Sequence, residues 1–95
     1  MSGRKQDIVE EIASVFGLEA PKMSTGSTEP REIFDLVNRE LGLGLPLHLT
    51  KPELARAIVE SAGDVWLPDY DSRGGTVTLK GLAAVLEAVH FYLGR

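Results

Sequence analysis

Residues 49–63, LTKPELARAIVESAG, constrain the chain more than any other stretch. Thr50 suits an N-cap, its hydroxyl accepting a first-turn backbone N–H, and Glu53 three residues on reaches back to the Thr50 N–H to close a capping box. Leu49 and Leu54 stand at the two positions of a hydrophobic staple. Pro52 falls in the first turn, where a missing N–H costs nothing. Leu54, Ala55, Ile58, Val59 and Ala62 recur at helical spacing, with Lys51, Arg56 and Glu60 off that stripe. Gly63 then suits a left-handed C-terminal cap. Start, face and stop agree on an amphipathic helix, and such a helix needs other elements to cover its apolar side.

The same grammar returns near the end of the chain. Thr78 is an N-cap, Val77 and Leu82 make a second staple, and the helix runs over residues 79–93. Its face carries Leu82, Val85, Leu86, Val89 and Leu93. Gly81 costs up to ~1 kcal/mol in helix propensity against alanine, which close approach of another backbone would explain. Shared capping rules account for the likeness of the two segments without a duplication.

Two more helices precede these. Residues 4–16 place Ile8, Val9, Ile12, Val15 and Phe16 on one stripe, with Asp7, Glu10 and Glu11 outside and Gly17 as the stop. Residues 28–41 give Ile33, Phe34, Val37 and Leu41 on the inner face, with Thr28 as cap, Pro30 in the first turn and Gly42 as the stop. Between them, residues 19–27 (EAPKMSTGS) are a polar linker, too short to divide a 95-residue chain into domains. Residues 42–49 (GLGLPLHL) alternate leucine with glycine, proline and histidine at strand period, but two glycines and a proline disfavour a central strand. An extended connector burying alternate leucines is expected, or else a patch left for a partner. After the capped helix, residues 65–67 and 75–78 are expected to pair as a short hairpin around the Asp71–Gly75 turn. The expected architecture is all-α: one domain, 1–95, with four main helices around one core and a short turn or hairpin before the last.

Composition narrows the function. The chain has no cysteine, which removes disulfides and thiolate chemistry and fits a cytoplasmic protein. There is no long apolar run and no apolar core behind the basic N-terminal residues, so neither a membrane partner nor a secretory signal is expected. The net charge of −4 lacks the overall basic footprint of a nucleic-acid binder, although base contacts need only a few side chains.

No catalytic constellation emerges, and neither a cofactor nor a metal is expected. Asp69, Asp71 and Gly74 match the first, third and sixth positions of a calcium loop, but Arg73 and Lys80 stand where two ligands belong. His48 and His90 are isolated in sequence, and the carboxylates read as solvated helix exteriors. A binding module remains. Lys51, Arg56, Arg73 and Lys80 are the cations placed to touch double-stranded DNA around the third helix. Leu43, Leu45, Leu47 and Trp66 are the residues placed to touch a protein.

The segment from residue 45 to residue 89 resembles a small helical accessory module of bacterial and archaeal restriction endonucleases. The residues that carry this are Leu49 to Leu54, Trp66, the turn from Asp71 to Thr78, and Gly81-Leu82. The nuclease residues themselves, an Asp…Glu-x-Lys cluster or a His-rich metal motif, are not in this chain. The resemblance thus implies a non-catalytic accessory part, for DNA contact or for docking, and the leading expectation is a recognition module that contacts DNA. The alternative is a protein-interaction or dimerisation domain, docking on a nuclease, another protein or itself.

Overall fold

The structure, a computed structural model, describes residues 4–21, 29–72 and 74–94. Four helices account for most of it: α1 (Lys5–Val15), α2 (Arg31–Leu41), α3 (Lys51–Ser61) and α4 (Leu79–Leu93). A 3-10 turn (Pro68–Tyr70) and a minimal antiparallel pair, β1 (Asp71–Ser72) and β2 (Thr76–Val77), lie between α3 and α4. The fold is all-α in character, with α4 packed against both α1 and α3, and α2 closing on α1 and α3.

The helices form for the reasons written in their ends. Thr50 accepts from the Glu53 N–H at 3.3 Å and donates its own N–H to Glu53 Oε1 at 2.9 Å, a complete capping box. Thr78 accepts from the Gly81 N–H at 3.2 Å. The two threonines share a backbone conformation, φ −71°, ψ 166° and φ −72°, ψ 168°. Gly42 ends α2 with φ 64°, the left-handed stop a side chain would strain. The helical stripes meet in one core. Ile12, Phe34, Leu54, Ile58, Leu82 and Val85 are among its fully buried members. Each large one contributes roughly 1.5–3 kcal/mol relative to exposure.

Three expectations need correction. The strand pair joins Asp71 to Val77 and Ser72 to Thr76, not residues 65–67 to 75–78. Pro68 starts a 3-10 turn directly after Leu67, which takes 65–67 out of register with the later segment. Helix α2 begins at Arg31, with Pro30 in extended conformation at its N-cap position instead of inside the first turn. The residue before a proline is disfavoured in helical conformation, which argues against a helix that includes Glu29. The expected Thr28 cap, and most of the 19–27 linker, lie outside the described residues. Third, the connector buries its leucines only in part: Leu43, Leu45 and Leu49 are half-buried against the core, while Leu47 is 73% exposed.

Asn38 explains why the connector holds its shape. From the buried side of α2 its amide donates to the Leu45 carbonyl (3.1 Å) and accepts from the Leu45 N–H (2.9 Å). That replaces the backbone partner a strand would have supplied. Arg31 adds a hydrogen bond from its guanidinium to the Leu47 carbonyl.

Candidate functional site

The most demanding polar arrangement is one the sequence hides. Glu29 is 1% exposed, although an acid beside a proline reads as an ordinary surface carboxylate. Its Oε1 lies 2.9 Å from Lys5 Nζ, its Oε2 lies 3.1 Å from Lys51 Nζ, and Oε2 also accepts from the Val77 N–H at 3.2 Å. Lys51 donates further to the Glu29 carbonyl at 2.9 Å. One carboxylate therefore ties the starts of α1 and α3 to β2. Lys5 and Lys51 are each the first residue of a helix, the end where the backbone dipole disfavours a cation. That placement is the one hint in the sequence: a lysine opening each of two helices is favoured by a nearby acid, and Glu29 supplies it.

This arrangement redistributes the cations assigned to DNA. Lys51 is 20% exposed and bound to Glu29. Arg56 is 62% exposed and pairs with Glu60 at 3.1 Å, one turn on along α3. Lys80 is 76% exposed and lies 3.5 Å from Asp69. Arg73 lies outside the described residues. Asp69, first position of the calcium-like loop, thus faces a lysine. Among the described residues no group of three or more His, Asp or Glu side chains is placed to hold a metal ion, and no helix is long and apolar enough to cross a membrane.

The residues assigned to a protein partner divide between two connectors. Leu43, Leu45 and Leu47 precede α3, and of these Leu47 is the one substantially open. Trp66 follows α3, is half-buried against the core, and stacks edge-on against Tyr70 with ring centres 5.1 Å apart.

Apart from Leu47, most of the exposed large apolar side chains lie on α4 and the link before it: Val65, Leu67, Phe91, Tyr92 and Leu93. A depression of about 490 Å³ lies between α1 and α4, lined by Glu11, Leu86, Glu87, His90 and Phe91. Beyond Glu87 and Phe91 a second, of about 280 Å³, is lined by Ala62, Gly63, Asp64 and Ala88. A third, of about 260 Å³, runs from Glu87 past Ala83 to Leu67 and Tyr70. Glu87 borders all three. Phe91 is 67% exposed and meets Tyr92 edge-on at 6.0 Å; Val65 and Leu67 are exposed on the adjoining link. The His90 Nε2 atom is covered from solvent with no hydrogen-bond partner. Neither Glu11 nor Glu87 is paired with a cation among the described residues. The sequence pattern missed this site because α4 is apolar on more than one side, and spacing alone does not say which side is covered.

Comparison of this chain with protein families, with characterised proteins and with solved structures finds no match.

Proposed function

We propose that this chain is a non-catalytic recognition module that docks on another protein through the outer side of α4. One observation carries the reading: Phe91 stands open over an apolar depression between α1 and α4. Exposed aromatics are enriched at the centres of protein interfaces, where they supply large contact area at low entropic cost. The resemblance to accessory modules of restriction endonucleases fits this role, with a nuclease polypeptide as the partner.

The DNA-contacting alternative has less behind it. Lys51 is drawn to Glu29, and Arg56 and Lys80 each have an acidic neighbour. With a net charge of −4, the long-range field repels phosphate. A photo-crosslinking side chain placed at position 91 and, separately, at position 56 in the intact protein tests the choice. Docking expects a discrete protein adduct from position 91 that Glu87→Lys removes, and none from position 56. Nucleic-acid adducts from position 56, with none from position 91, would overturn it.

A further inference from the structure

We infer that the groove along α4 is built for a basic amphipathic helix of a different protein. This rests on the docking reading above and specifies the occupant. The groove is a row of three depressions that adjoin at Glu87, with Phe91 bordering two of them. From Lys80 to Phe91 it follows α4 for about 16 Å, at 1.5 Å per residue, the length of about three helical turns. Its floor is apolar between α1 and α4, where Leu86 and Phe91 supply bulk, and mixed on the α3 side, where small Ala83, Ala84 and Ala88 leave room for a neighbouring backbone beside Asp64 and Asp69. An amphipathic helix lays its i, i+3, i+4, i+7 residues into such a groove.

The rim decides the sign of the partner. Glu11 borders the groove on the α1 side, Glu87 runs along its middle, and Asp64 and Asp69 border it on the α3 side. Lys80 is the cation among the lining residues and already faces Asp69. Lysines or arginines flanking the apolar ridge of an incoming helix would meet Glu11 and Glu87, neither of which is paired with a cation among the described residues. The covered His90 Nε2 also lacks a partner, and a polar group on the incoming helix would supply one after the small rotamer changes common at interfaces. A second copy of this chain fits poorly. A two-fold contact along α4 would set each acidic rim against its own image, an arrangement that disfavours association.

The test uses two 18-residue synthetic helical peptides with the same leucine ridge, one flanked by lysine and one by glutamate. Each is titrated into the isotope-labelled 95-residue chain and followed by backbone amide NMR. The lysine peptide should perturb Glu11, Ala83, Glu87 and Phe91 selectively. The double variant Glu11→Lys/Glu87→Lys, both positions exposed, should weaken it roughly tenfold and should turn the preference toward the glutamate peptide. Circular dichroism should show that variant as helical as the parent. Perturbation at the same residues by the glutamate peptide, or concentration-dependent self-association through them, would overturn the basic-helix inference and leave docking at α4 standing. No perturbation of these residues by either peptide or by self-association would overturn both.

Discussion

At the scale of single residues, Glu29 and Gly81 carry the most structural weight for their size. Glu29 compensates two lysines that open helices against the dipole and satisfies the Val77 N–H. Glu29→Ala leaves two lysines without their shared acid and the Val77 N–H without its acceptor. It should cost about 3 kcal/mol, at the low end for a broken buried pair because both lysines reach solvent. A drop in Tm of more than ~10 °C on thermal unfolding checks this, with Lys5→Met losing less. Gly81 was legible as a position that needed a close neighbour, and that neighbour is now visible. A Cβ there would sit 2.8 Å from the Tyr70 carbonyl and 2.5 Å from Val77 Cγ1. Gly81→Ala should therefore destabilise by ~1–3 kcal/mol in denaturant unfolding, although alanine is the better helix former. Glu29 itself was not legible by spacing, because its three partners lie 22 to 48 residues away in the chain.

At the scale of elements, what the chain declared about itself was local. Caps, staples and stops specify α3 and α4 within a few residues, because those interactions close over three or four positions. Thr50→Ala should remove about 1 kcal/mol, read as a shift in the denaturant midpoint at unchanged slope. The box also predicts a pH effect. The Thr50 N–H, with the Thr50 hydroxyl adding to it, holds the Glu53 carboxyl below its usual value. A carboxyl depressed in the folded state stabilises above its unfolded value, and the contribution is lost as pH falls through the folded one. Amides in the first turn of α3 should exchange faster as pH falls below 4.5, once corrected for intrinsic rates, and Glu53→Gln should flatten that trend. The connector and the strand pair were harder to read. Strand period in residues 42–49 was real, but the partner holding Leu45 is the Asn38 side chain and not another strand. Asn38→Ala should leave the Leu45 N–H and C=O unpaired, cost ~1–3 kcal/mol, and open the connector to proteolysis.

At the scale of the whole molecule, the all-α architecture followed from four amphipathic stripes that had only one another to cover them. The proposed docking surface did not follow. Three of the four cations that looked available in sequence, Lys51, Arg56 and Lys80, lie beside acids in space, and the apolar side of α4 that stays open is marked by no motif. The central claim is that recognition runs through this acid-rimmed apolar groove and not through a cationic face. Titration of duplex DNA into the chain at low ionic strength tests it most directly. Docking through α4 predicts no saturable binding up to about 100 μM DNA, the weak end of ordinary non-specific affinity. Micromolar binding that falls steeply with added salt, and that Arg56→Ala and Lys80→Ala each weaken, would contradict it.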